Sequence, residues 1–422
     1  MEILRIFCRL VFGWSLIGLC GARFFVLPSN WTVVNNSSLP IYDTEQGPFR
    51  AITDGEGNAI MSEDYRFGFG FINVNSSGEF ILSIVLGVNF TSSDAITEIW
   101  TANRQRTVAE GAVLTLGNSG DMILRDSDGT VAWNISTGKT QNKAIAMQMT
   151  GNLQIYNTTN SSLLSSSSLV WQSRDNPTHT LLPGQVLKTG YTLVSNASAT
   201  NASQGSYKLV MEPGGLVLYY RSKFEEPYWS LGLPGLDYGG ILRPCFYTSS
   251  SQNAEALYTG SDLQISFNKT IDNPSTSCSN GTGVLLVAPP LNDTQDRFMR
   301  LDNDGNLRSY RVPQQPGTSN RSAMWIPDFG IDQFNRCVLP KVCGPYGICV
   351  DGQCSCPGSG TPDYFDQIQN LDITQGCRSR SGEPDCTQTS AGYHFLLVDE
   401  VDYYLNEFFQ PLGNVSTIDN CK

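Results

Sequence analysis

From residue 23 to about 330 the chain shows almost no helical periodicity. Short runs of alternating side chains follow one another instead, among them FILSIVLGV (80–88), GGLVLYY (214–220) and DLQISFN (262–268), separated by Gly, Asn, Asp and Ser. The pattern predicts an all-β region. Within it a turn-and-strand unit recurs, as SGDMIL (119–124), TGNLQIY (150–156), GGLVLYY (214–220) and DGNLRSY (304–310). The turn glycine supplies positive φ at little cost, and the apolar residues after it alternate into a core. The first two copies start at 119 and 150, 31 residues apart, which suits three similar small sheets around a shared axis. The Ser/Asn-rich stretch NTTNSSLLSSSS (157–168) reads as a glycosylated loop. A second block opens near LVWQSRDNPTHTLLPGQ (169–185), placing a domain boundary close to residue 165.

The stretch QMTGNLQIY (148–156) is the most chemically suggestive of these units. Read as a β-strand, it lines Gln148, Thr150, Asn152, Gln154 and Tyr156 along one face. Five hydrogen-bonding side chains in a row have two explanations: a face that looks at water, or a face built to hold polyhydroxylated ligands.

The N-terminus carries Arg5 and Arg9, an apolar run from Leu10 to about Cys20, and small residues at Gly21 and Ala22. This is the layout of a secretory signal peptide over 1–22, too short for an ordinary membrane span, with an uncleaved anchor as the alternative. No later segment approaches 18 unbroken apolar residues. Net charge is -12 and the 27 basic residues form no dense run, which argues against a nucleic-acid-binding surface. Beyond the leader the cysteines all lie at or after position 245, and they are even in number. On an oxidising route disulfides are the expectation. Sequons recur densely, with Asn30, Asn75, Asn89, Asn134, Asn196, Asn268 and Asn280 as expected glycosylation sites and further ones at Asn35, Asn36, Asn157 and Asn201. Both signs point to a heavily glycosylated, secreted extracellular protein.

From Cys337 the composition changes. Six cysteines, at 337, 343, 349, 354, 356 and 377, fall among few apolar residues, so covalent staples are needed for stability. Cys354-X-Cys356 followed by a long last loop resembles an epidermal-growth-factor-like module, and that resemblance implies the pairs Cys337–Cys349, Cys343–Cys354 and Cys356–Cys377. Zinc is the competing reading. It is disfavoured because the chain has two histidines, His179 and His394, and secretion oxidises thiols.

Six segments together carry a wider resemblance: RFGFGFI (66–72), IWTANRQRTV (99–108), VWQSRDNPTHTLLPGQ (170–185), LDNDGNLRSY (301–310), CGPYGIC (343–349) and GCRSR with PDC (376–386). In order and spacing they resemble the extracellular region of plant S-locus glycoproteins and bulb-type lectin S-receptor-like kinases. The resemblance implies an all-β chain: a lectin domain over 23–165, a second lectin-like domain over 166–332, the growth-factor-like module over 333–378, and an incomplete PAN/apple domain over 379–422. It leaves Cys245 and Cys278 to bridge a surface loop, and Cys386 and Cys421 without assigned partners. Bulb-type lectins hold mannose with Gln-X-Asp-X-Asn-X-Val-X-Tyr. Here Gln148, Asn152 and Tyr156 match, but Thr150 replaces the Asp and Gln154 the Val. Losing that carboxylate removes a charge-assisted bond of about 1.5–3 kcal/mol, or roughly tenfold or more in affinity. The next-best copy keeps Asp304, Asn306 and Tyr310 but has Arg308 for the Val. These strands are therefore expected to serve more as scaffold than as mannose sites.

Catalysis finds no support in the motifs. No Gly-X-Ser-X-Gly elbow, His-Glu-X-X-His helix or nucleotide loop is present. DSDG (126–129) and DNDG (302–305) resemble calcium loops but lack the full ligand pattern, so they read as turns, and neither a metal nor a cofactor is expected. The sequence thus points to a secreted recognition glycoprotein that binds a carbohydrate, a peptide or related receptor ectodomains. A truncated receptor and a cell-wall structural glycoprotein are the alternatives. Self-association is expected by analogy.

Overall fold

Among the described residues the alternating runs become six antiparallel sheets and two short hairpins. The computed structural model describes residues 22–380 apart from 29, 43–47, 75–77, 88–95, 118, 138–142, 158–168, 213–214, 223–224, 232–253, 268–280, 287–295, 312–324, 334 and 359–363. Residues 1–21, nearly all of the signal peptide expected at 1–22, the segment after 380, and Cys245, Cys278, Cys386 and Cys421 lie outside the described residues. Among the described residues no helix is long and apolar enough to cross a membrane.

Three sheets form a first unit. One runs Ala22–Leu27, Lys143–Gln148, Leu153–Asn157, Leu169–Gln172; the second runs Val131–Ser136, Asp121–Arg125, Val113–Leu116, Thr32–Val34. The third has five strands, Ile41–Tyr42, Phe49–Ala51, Phe67–Asn73, Phe80–Leu86 and Thr97–Thr101. In each sheet the strand that comes last in the chain, Leu169–Gln172, Val131–Ser136 or Thr97–Thr101, sends a tryptophan inward. Trp100, Trp133 and Trp171 meet edge to face with centroids 5.7–6.5 Å apart, marking the shared axis that the repeat spacing anticipates.

A second unit repeats the plan. Its sheets are Thr180–Leu181 with Arg297–Leu301, Leu307–Arg311 and Ile326–Gly330; Gln185–Lys188 with Ala254–Tyr258, Asp262–Phe267 and Gly281–Leu286; and Thr192–Ser198 with Asn201–Glu212, Gly215–Arg221 and Glu225–Leu231. Its core includes Leu209, Leu218, Trp229, Leu263 and Met299, all buried. All four recurrent sequence units occupy the same place, the turn into the third strand of a four-stranded sheet or its mirror. A fifth, TGSDLQISF (259–267), does so as well, although its glycine sits elsewhere in the turn.

Not every strand is wet on one face. Phe80–Leu86 is buried throughout. Phe80, Leu82, Ile84 and Leu86 point into the first core, while Ile81 and Val85 join Phe49, Ala51, Met61 and Ala202 on the opposite side. Ala202 belongs to the second unit, so the units share apolar contact. Phe298 and Leu182 likewise pack with the first core. A strand covered on both sides needs no polar alternation, which is why FILSIVLGV reads as a nearly continuous apolar run.

Arginines tie this junction together. Arg104 Nε donates to Ala202 O (3.0 Å), Nη1 to Val194 O (2.8 Å), and Nη2 to Ser195 O (2.6 Å) and Asn196 Oδ1 (3.0 Å). Arg66 pairs with Asp64 and Asp296, and Arg300 Nη2 donates to Thr97 Oγ1 (2.9 Å). Beside them His179 is fully buried, its Nδ1 3.2 Å from Thr178 Oγ1. Burial first, and then the charges of Arg300 and Arg104, hold its imidazole well below 6.5. Glu98 Oε1 lies 3.7 Å away but already accepts from Asn196 Nδ2 at 2.9 Å, so it does not offset the burial.

The sign of the linkage follows. Below pH 6.5 the unfolded chain takes up a proton at this histidine that the folded chain refuses, so stability falls as pH falls. Between pH 6.5 and about 5, the unfolding free energy of wild type relative to His179→Asn should decline by up to about 1.4 kcal/mol per pH unit. Urea titrations of both proteins across this range test it, and a flat difference would refute it.

The growth-factor-like segment is stapled by Cys337–Cys349, Cys343–Cys354 and Cys356–Cys377, with Cα separations of 5.3–5.7 Å. Two hairpins, Ile348–Val350 with Gln353–Ser355 and Phe365–Gln367 with Cys377–Ser379, supply its regular structure.

Candidate functional site

QMTGNLQIY is a hairpin rather than the single strand that alternation suggests. Gln148 ends one strand, the turn closes with Gln148 N to Asn152 O and Gly151 N to Gln148 O (both 3.0 Å), and the next strand starts at Leu153. Gly151 has φ +78°, and a Cβ there would sit 2.7 Å from Leu182 Cδ1 and Phe67 Cε1, so both conformation and space demand glycine. The same turn recurs at Asp302–Asn306, where Gly305 has φ +85° and Tyr207 in the corresponding place.

The hairpin brings Asn152, Gln154 and Tyr156 together, but not toward water: they are 4%, 7% and 3% exposed. Their polar atoms are used up by one another and by the neighbouring strand. Tyr156 Oη donates to Gln154 Oε1 (2.7 Å), and Gln154 Nε2 donates to Gln172 Oε1 (3.1 Å). Asn152 Nδ2 donates to the same Gln172 oxygen (2.8 Å), and Asn152 Oδ1 accepts from Ser173 Oγ and Arg174 N. Gln172 in turn donates to Asp175 Oδ2 (2.8 Å). Phe24 covers Tyr156 with ring centroids 5.6 Å apart, and burial pushes the Tyr156 hydroxyl up. Thr150, in the turn, is exposed and donates to Gln148 Oε1 (3.1 Å). A cavity of about 20 Å³ beside Thr150, Asn152 and Trp100 has room for roughly one water.

The row at 302–310 is closed differently. Arg308 lies in a fork over Asp304, Nη1 to Oδ1 (2.9 Å) and Nη2 to Oδ2 (2.7 Å), and also reaches Asp302 Oδ2 (2.7 Å). Tyr310 Oη donates to that same Asp302 oxygen (2.5 Å) while its ring stacks on Phe298 at 5.1 Å. Asn306 is fully buried, its Oδ1 accepting from Ile331 N (2.9 Å). Burial raises the Asp302 carboxyl despite Arg300, Tyr310 and Arg308 around it. Burial also works against charge on Arg308, but Asp304 and Asp302 more than compensate and hold its guanidinium above its ordinary value.

The DSDG turn is likewise spent internally. Asp126 Oδ1 accepts from Ala109 N and Ser127 N, Asp128 Oδ1 accepts from Thr130 N, and Arg106 bridges both carboxylates at 3.1–3.2 Å.

Two larger concavities flank Arg104 at the junction of the units. One, of about 670 Å³, is bordered by Glu79, Gln105, Thr107, Thr200 and Asn201; the other, of about 360 Å³, by Thr101, Trp133, Asn134, Thr178 and Gln204. These are volumes typical of ligand clefts. Sequence reasoning reached neither these clefts nor the role of Gln172. The signal for Gln172 was present in the Trp-Gln-Ser segment, but its partners lie 18 and 20 residues upstream.

Residues 97–205 match the family profile described as D-mannose binding lectin. The epidermis-specific secreted glycoprotein EP1 of Daucus carota is 31% identical over 345 residues, covering 74% of this chain and 84% of that protein. EP1-like glycoprotein 3 of Arabidopsis thaliana is 30% identical, with 86% and 77% covered. The G-type lectin S-receptor-like serine/threonine-protein kinase LECRK4 of Oryza sativa is 27% identical over 83% of this chain but only 42% of the receptor.

Proposed function

The chain belongs to the bulb-type lectin family of EP1-like glycoproteins, and from that premise we propose that it is a secreted, non-catalytic recognition glycoprotein with no cofactor. Its ligand is a protein or an extended glycan rather than free mannose. The domain division of 23–165, 166–332, 333–378 and 379–422 is part of this reading, with the pairing of Leu169–Gln172 to Leu153–Asn157 favouring a first boundary just after Gln172. Association with related receptor ectodomains or with a second copy belongs to it as well. The observation that carries it is the closure of both candidate rows: Gln172 occupies Asn152 and Gln154, and Arg308 occupies Asp302 and Asp304. A sugar has to displace bonds already made, and each buried group left unpaired costs about 1–3 kcal/mol.

Sugar binding at 148–156 is the second reading, favoured by the surviving Gln148, Asn152 and Tyr156. A glycan array separates the two. Wild type and Asn152→Ala should give the same mannose signal, at background. Thr150→Asp combined with Gln154→Val restores the acceptor and the apolar contact, and should gain mannose binding at least tenfold above wild type. Strong wild-type binding lost in Asn152→Ala would instead establish the row as a working site.

A further inference from the structure

Seven sequons fall on described residues, at Asn30, Asn35, Asn36, Asn134, Asn157, Asn196 and Asn201, and their amides are not equivalent. Two of them overlap in the sequence Asn35-Asn36-Ser37-Ser38, where sugar transfer to either asparagine satisfies the sequon.

The fold distinguishes the pair. Asn35 is fully buried, its backbone N bonded to Ala112 O and its O to Gly111 N (both 2.8 Å). Its side chain donates to Ala109 O and accepts from Arg50 Nη1 at 3.0 Å. Arg50 is itself buried against the Phe80 ring at 4.6 Å, its Nη1 also lies 3.6 Å from Glu110 Oε1, and among the described residues its Nε has no partner. A sugar on Asn35 Nδ2 has no space, and moving the side chain outward strips a buried guanidinium of a neutral acceptor it needs. Asn36, next along, is half-exposed at the start of a turn. Its Oδ1 accepts from both Ser38 N (2.9 Å) and Ser38 Oγ (2.5 Å), which leaves the amide nitrogen as the end open to modification.

We propose that the oligosaccharide is carried by Asn36, and that Asn35 and Asn196 are unmodified in the folded protein. Asn196 is half-exposed and is excluded on its bonding instead, since its Nδ2 donates to Glu98 and its Oδ1 accepts from Arg104 at the junction of the units. The donor is a lipid-linked diphospho-oligosaccharide. The bond from sugar C1 to diphosphate oxygen breaks, a bond from C1 to Asn36 Nδ2 forms, and the lipid diphosphate leaves as the amide gives up one proton. Transfer precedes folding, so chains modified at Asn35 fail to fold and drop out of the secreted pool. The assignment rests on the secretory reading above.

The test is glycopeptide mapping of the protein secreted from plant cells. Glycans are released in heavy-oxygen water by an amidase that tolerates core fucose, so each formerly occupied asparagine becomes labelled aspartate. Label is expected at 36 and absent at 35 and 196. Ser37→Ala, which removes the Asn35 sequon, should leave the glycan mass unchanged. Ser38→Ala, which removes the Asn36 sequon, should lower it by one glycan. Label at 35 or 196, or a mass loss in Ser37→Ala, overturns the assignment. Glycans at other sequons with none at 36 overturn it while leaving secretion standing, and no glycan anywhere removes both.

Discussion

Arg104→Met will lower the melting temperature of the paired sheet units by about 10 °C. Methionine fills comparable volume but brings no donors, so the change isolates the hydrogen bonds. Their acceptors are available for a local reason: pairing of Thr192–Ser198 with Asn201–Glu212 slips between Val194 and Asn196, and again before Ser198. A bulge leaves ladder groups unpaired. The Arg104 guanidinium takes up the carbonyls of Val194, Ser195 and Ala202 from the neighbouring unit. Burial pulls its pKa down to about 10 even though Glu98 favours its charge, so it remains a cation at neutral pH. Leaving three carbonyls without their donor costs at least about 1 kcal/mol each, about 3–5 kcal/mol together, and units of this size lose about 2–4 °C per kcal/mol. Arg104→Lys should recover only part of the loss, because an ammonium lacks the planar fork that reaches three carbonyls at once. Calorimetry on the three proteins decides; an unchanged transition in Arg104→Met would show that water replaces the guanidinium at no cost.

This arginine also shows where sequence reading stops. IWTANRQRTV was visible as a family segment, and Asn103 within it pins the loop locally, its Oδ1 accepting from Leu82 N and its Nδ2 donating to Arg106 O. The partners of Arg104 lie 90 residues or more away, on a bulge that no periodicity reports. Short-range chemistry was legible: glycine turns, alternating strands and the spacing of sheets around an axis all follow from residues close in sequence. The five-residue polar row was legible as composition but not as geometry. A turn at 148–151 splits it, and Gln172 closes it from the next strand. The fifth repeat at 259–267 escaped because Gly260 takes the positive φ early in the turn, one place before the position that Gly120, Gly151 and Gly305 use.

Replacing Cys356 and Cys377 together by serine will unfold the far end of the growth-factor-like segment while leaving both sheet units intact. The near end is held by packing: Leu339 is buried in the second core, Val338 and Val342 lie against it, Tyr207 Oη reaches Pro340 O, and Lys341 sits 4.7 Å from the Tyr220 ring. The far end rests on fewer contacts, among them Phe365 against Tyr346 (5.5 Å) and Cys377 N on Pro345 O (2.8 Å), with Tyr364 44%, Ile368 45% and Leu371 103% exposed. What orders it is the Cys356–Cys377 bridge, which closes 21 residues, a constraint worth about 3 kcal/mol. Few apolar contacts remain to offset the chain entropy released when it is cut. Hydrogen exchange reads the result residue by residue. The amides of Ile368, Cys377 and Arg380, which now donate to Gly376, Pro345 and Tyr364, should exchange near unfolded rates in the double variant. Those of Phe69 and Ile84, deep in the first unit, should keep their protection. Retained protection at Ile368 and Cys377 would mean that the two hairpins stand without the staple, and that the first two disulfides suffice for the segment.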